Sequence, residues 1–95
     1  MIYKHALADV LRNERIAQGR TLRSVSSKGM IGLTYLWEVE NARKEISSEL
    51  LEGLANSLGV PTHEIVIRAG MLMAAIEVPD TIESLLDNYA EPMVR

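Results

Sequence analysis

The most constraining feature of this chain lies between Leu22 and Val39. Val25, Ile31, Leu36 and Val39 fall on one side of two short helices, 21–29 and 32–41, joined by about three residues. At helical spacing, two such helices bury these four side chains only by crossing at a steep angle. Ser26 supplies a small side chain where the two come closest.

This is the spacing of a helix-turn-helix. Counted from Leu22 as the first position, the buried positions are 4, 10, 15 and 18, and the small one is 5. The rest of the chain reads as helices cut apart by glycine and proline. Residues 3–18 carry Leu7, Val10, Leu11 and Ala17 at helical spacing, and Gly19 follows as a stop. Thr21 stands where an N-cap belongs. After Asn41-Ala42 a basic loop, RKEIS, leads to Ser47 or Ser48 as the cap of SELLEGLANSL. Glu49 and Glu52 there favour the positive end of the helix dipole, and Gly59 ends the helix. Pro61-Thr62 opens a helix expected to reach Glu77. Its apolar residues, from Ile65 to Ile76, run nearly all the way round. Such a helix is expected to be buried on every side, and a domain this small needs a partner chain to cover part of it. Val78-Pro79 breaks the run. Asp80 then resembles an N-cap with Glu83 completing a capping box. Ile82, Leu85, Leu86 and Tyr89 follow as one apolar stripe.

Composition narrows the class. A length of 95 residues fits one small domain. The absence of cysteine removes disulfides and thiolate metal sites and fits a cytoplasmic location. His5 and His63 lie far apart, so no metal site is expected. The longest uncharged apolar run, AGMLMAAI, has eight residues. A bilayer needs roughly 20, so no membrane partner is expected. No paired carboxylates, nucleophile–base pair or phosphate-binding glycine loop stands in a plausible context. The chain is therefore not expected to be an enzyme, nor to carry a cofactor, and no small-molecule ligand is evident. Charge is divided unevenly. Residues 1–44 hold eight basic and four acidic residues, a net +4; residues 45–95 hold two basic and nine acidic, a net −7. A split of this kind suggests that one half meets a polyanion.

On a helical wheel of 32–41, Leu36 and Val39 point inward, with Tyr35 and Glu40 at the edges of the buried arc. Leu33, Thr34, Trp37, Glu38 and Asn41 take the opposite face. An outward Trp and Leu on a short helix mark contact with a partner. In a helix-turn-helix this face enters the DNA major groove. Leu33 and Trp37 are then placed to pack on thymine methyls, Thr34 to contact a base, and Glu38 to accept from cytosine N4. Arg23, Lys28, Tyr35, Arg43 and Lys44 are the expected phosphate contacts. The inward Glu40 needs a cation, and Arg15 is the best candidate for a structural salt bridge.

With these residues in place, residues 7–67 resemble the lambda-repressor-like, or Xre-type, five-helix DNA-binding family. LADVLRNERIAQG is similar to that family's opening, and TLRSVSSKGMIGLTYLWEVENARKEISSELLEGLANSLGV to its second to fourth helices. TLRSVSS, YLWEVE and KEISSELL are most similar to the Clp gene regulator (ClgR) family of actinobacteria. That resemblance implies a dimeric transcription factor, mainly an activator, of Clp protease and stress genes. It also implies that Arg15 and Glu40 hold structural salt-bridge positions. Leu33, Thr34 and Glu38 take base-reading positions, Arg23 a backbone contact, and Tyr35 a place at the DNA surface. Four features depart from the pattern. Met30 stands where glycine is common, in a left-handed turn that costs a non-glycine residue ~1 kcal/mol. Gly32 replaces the usual Ser or Thr cap. Trp37 is bulkier than usual. The chain ends in EPMVR rather than in the small apolar tail by which such regulators are handed to a protease, so regulated degradation is not expected.

The expected fold is all-α: a five-helix DNA-binding domain over 1–68, extended by a helical dimerisation segment over 69–95 of the same domain. Its interface core is Met71, Leu72, Ile76, Ile82, Leu85, Leu86 and Tyr89. The expected partners are double-stranded DNA, at an inverted repeat, and a second copy of the chain. Two alternatives stay open: an antitoxin or phage-type repressor on the same fold, and a helical protein–protein adaptor using Leu33 and Trp37. A steep loss of binding with salt favours DNA; an apolar protein contact changes little.

Overall fold

Each segment bounded by glycine or proline folds as a helix in the computed structural model, which describes residues 2–77. The helices are α1 (Tyr3–Ala17), α2 (Leu22–Gly29), α3 (Leu33–Glu40), α4 (Ser48–Leu58) and α5 (Thr62–Glu77). No strand occurs among the described residues, and the fold is all-α. No helix described is long and apolar enough to cross a membrane.

The boundaries follow from local chemistry. The Thr21 hydroxyl accepts from the Ser24 amide at 3.0 Å, and Ser47, rather than Ser48, caps α4 by accepting from the Leu50 amide. Four helices end in the same way. After α1, the amides of Gly19 and Arg20 donate to the carbonyls of Ile16 and Arg15. Met30 and Ile31 repeat this after α2, Ala42 and Arg43 after α3, and Gly59 and Val60 after α4. These paired bonds form the Schellman motif, which turns the chain through a left-handed residue. Gly19 and Gly59 take that conformation freely; Met30 (φ 55°) and Ala42 (φ 57°) take it under strain.

All five helices contribute to one core. Ala6, Leu7 and Leu11 of α1 meet Val25, Ile31, Leu36, Val39, Leu54, Ile65 and Ala69 there. Side chains from the α1–α2 corner also close the end of α4. Gln18 donates to the Leu58 carbonyl at 2.7 Å and Arg20 to the Ser57 carbonyl at 2.5 Å, satisfying carbonyls a helix end leaves without partners.

α5 is the apolar helix expected to need a partner chain over part of its surface. It packs one face on α1 and leaves the other open. Ile65 and Ala69 are buried, and Leu72 and Met73 are half-buried against the core. Val66, Ile67 (56% exposed) and Met71 (61% exposed) face away. A helix apolar all round does not show which side its own chain will cover; the α1 surface decides that. Arg68 ties α5 to α1 through Glu14 at 2.6 Å. That hydrogen bond, with a second from Gln18, holds the Glu14 carboxyl below its usual range. The resulting stability is present above the ordinary carboxylate range and is lost as pH falls through the lowered value. α5 runs unbroken through residues 68 and 69, where the dimerisation segment was expected to begin. Ile76 lies in the last turn of α5. Ile82, Leu85, Leu86 and Tyr89, with the helix expected from Asp80, lie outside the described residues.

Candidate nucleic-acid interface

The helix-turn-helix is locked from beneath. Val25, Ile31, Leu36 and Val39 are all buried. Ser26 does more than make room: its hydroxyl donates to the Ile31 carbonyl and so fastens α2 to the turn. Glu40, 3% exposed, meets Arg15 through both carboxylate oxygens, Nε–Oε2 at 2.8 Å and Nη2–Oε1 at 2.9 Å. Bidentate pairing of this kind is among the stronger charged hydrogen bonds. Arg15 Nη1 also donates to the Arg20 carbonyl at 2.9 Å, and Arg12 Nη1 to the Glu40 carbonyl at 3.1 Å. Two arginines of α1 thus hold the C-terminal end of α3 at a fixed angle. Arg12 was not singled out by sequence reasoning, because a bond to a backbone carbonyl leaves no pairing signature.

With its inner face fastened, α3 presents the other. Leu33 is 37% exposed and Trp37 is 42% exposed; Thr34 is exposed beside them. A groove of ≈ 460 Å³ runs between the first turns of α2 and α3, lined by Thr21, Leu22, Arg23, Leu33, Thr34 and Trp37. Four of the expected contact residues therefore share one concavity. Lys28, exposed in the last turn of α2, does not line it. Thr21 and Leu22, which also line it, carried only structural roles in the sequence.

Beyond Trp37 the basic loop folds back on α3. Left-handed Ala42 redirects the chain, and the Arg43 guanidinium then lies 5.2 Å from the Trp37 ring centroid. Lys44 lies 6.0 Å from the Tyr35 ring and 3.7 Å from a Glu38 carboxylate oxygen. The Tyr35 hydroxyl donates to the Glu45 carbonyl at 3.1 Å. These contacts gather Tyr35, Trp37, Glu38, Arg43 and Lys44 at one end of α3. Glu38 is partly neutralised by Lys44, and Arg43 is exposed beside them. No group of His, Asp or Glu able to hold a metal ion occurs among the described residues.

Residues 11–65 match the helix-turn-helix family. Over 76 residues, 80% of this chain and 68% of the relative, the sequence is 45% identical to the transcriptional regulator ClgR of Mycobacterium tuberculosis. The fold superimposes with a TM-score of 0.78 on the crystal structure of the clp gene regulator ClgR from Corynebacterium glutamicum, 32% identical, over 92% of this chain and 93% of that one. A restriction-modification controller protein, solved as a tetramer on its natural 35 base-pair operator, shares the fold alone. Its TM-score is 0.66 at 19% identity, covering 73% of this chain and 95% of that one.

Proposed function

The chain belongs to the helix-turn-helix family and, within it, to the ClgR regulators; from that premise we propose that this DNA-binding transcription regulator acts on clp genes as a homodimer. Each subunit reads one half of an inverted repeat, with recognition helices about 34 Å apart. The observation that carries this reading is the outward face of α3. Its apolar and polar residues stand exposed in one groove with Arg23, while the opposite face is locked to α1. Leu33, Thr34, Trp37 and Glu38 contact base edges. Arg23, Lys28, Tyr35, Arg43 and Lys44 contact phosphates, positioning the helix without carrying sequence information.

Dimerisation is supported by the open face of α5, where Val66, Ile67 and Met71 are exposed together. Residues 69–95 form the dimerisation segment. A chain cut before Met71 is expected to sediment as a monomer and bind DNA poorly. A dimer of unchanged affinity after that cut overturns the assignment.

Binding to a clp promoter fragment tests the DNA reading. Log affinity is expected to fall linearly with log salt, with a slope near −0.9 per neutralised phosphate. A flat salt response points instead to a protein-binding adaptor. Activation, rather than repression, rests on the family resemblance. A clp promoter driving a reporter is expected to rise with the chain present; a fall makes it a repressor.

A further inference from the structure

A second cavity, of ≈ 330 Å³, lies between the first turns of α1, the last turn of α3 and the basic loop. It shares no residue with the groove beside Trp37. Buried Leu7, Ala8 and Val39 line it, and half-buried Ile46 of the loop lines it too. Two cations, Lys4 and Lys44, also line it, with one acidic residue, Glu45. Lys44 is engaged by Glu38 at 3.7 Å. Lys4 has no ion pair among the described residues. The first turn of α1, which forms part of the lining, carries no acidic residue and no side-chain cap. The positive end of that helix dipole is therefore uncompensated.

An apolar cavity with a few polar groups at its edge has the form of a small-molecule site, and sites of that kind enclose about 300–1,000 Å³. Leu7, Ala8, Val39 and Ile46 offer no side-chain donor or acceptor, so the occupant's body is apolar. Lys4 and the start of α1 select a negative head. We propose that the cavity is an effector site for a small amphipathic carboxylate. Its apolar body lies against Leu7, Val39 and Ile46, and its carboxylate meets Lys4. The sequence gives no sign of this site, because the lining comes from three separate segments. The loop that forms one wall also carries Arg43 and Lys44, the proposed phosphate contacts. A bound carboxylate adds a negative charge beside them and weakens their attraction for phosphate. That last effect rests on the DNA-binding reading above; the binding site itself does not.

The test uses the full chain, with octanoate as the probe and octanol as its uncharged counterpart. Amide chemical shifts in NMR spectra locate the probe. Octanoate is expected to shift Leu7, Val39 and Ile46 saturably, and to bind about threefold tighter than octanol, the worth of one exposed ion pair. Lys4→Gln is expected to fold, by circular dichroism, and to erase that preference. Shifts absent from the cavity, or confined to the open apolar face of α5, overturn the proposal. Equal binding of octanoate and octanol overturns it too, as does a preference that survives Lys4→Gln. In a second arm, saturating octanoate is expected to lower the affinity for an operator selected from random duplex DNA about threefold, the effect of one added surface charge. Unchanged affinity overturns the effector role. A selection that enriches no sequence overturns the DNA reading of the chain, a result distinct from failure of octanoate to bind.

Discussion

The two faces of α3 are built to opposite rules. The inner face, with Leu36, Val39 and Glu40, is almost fully covered, and each polar group on it has a fixed partner. The outer face, with Leu33, Thr34 and Trp37, is open, and its apolar surface finds no core. Eight residues thus serve stability on one side and recognition on the other. Substitutions on the two faces should separate cleanly into those that unfold the domain and those that change what it binds.

Arg15→Ala gives the largest expected effect. It leaves the Glu40 carboxylate buried without its cation and should lower unfolding free energy by ~3–5 kcal/mol in urea titrations. Leu36→Ala comes next. It opens a cavity between α3 and the core, with an expected loss of ~2–5 kcal/mol by the same measurement. Both should abolish DNA binding only in proportion to the fraction unfolded. Met30→Gly and Ala42→Gly act at the ends of the helix pair and should each stabilise by ~1 kcal/mol, raising the melting temperature, because both residues hold left-handed backbones. Trp37→Ala should change stability by less than ~0.5 kcal/mol. A Trp37→Ala domain that unfolds as readily as Leu36→Ala would break the division between the faces.

Much of this arrangement is legible from residue type and spacing. Thr21, Ser47, Gly19 and Gly59 mark helix ends because few other residues satisfy those positions as well. The spacing from Val25 to Val39 encodes the crossing of α2 and α3 because four apolar side chains leave only one way to be buried together. Other features depend on tertiary choices. The buried side of α5 is set by the surface of α1, since its own periodicity is saturated with apolar residues. The left-handed turn at Ala42 has no sequence mark, because alanine ordinarily favours helix. The stacking of Arg43 on Trp37 depends on that turn and is equally hidden.

The position of Trp37 has a spectroscopic consequence. It is the only tryptophan in the chain, and it stands on the outer face of α3 rather than in the core. Its emission therefore reports the environment of that face. Duplex binding should displace water from the indole and alter the emission without any attached dye, whereas core repacking far from α3 should leave it nearly silent.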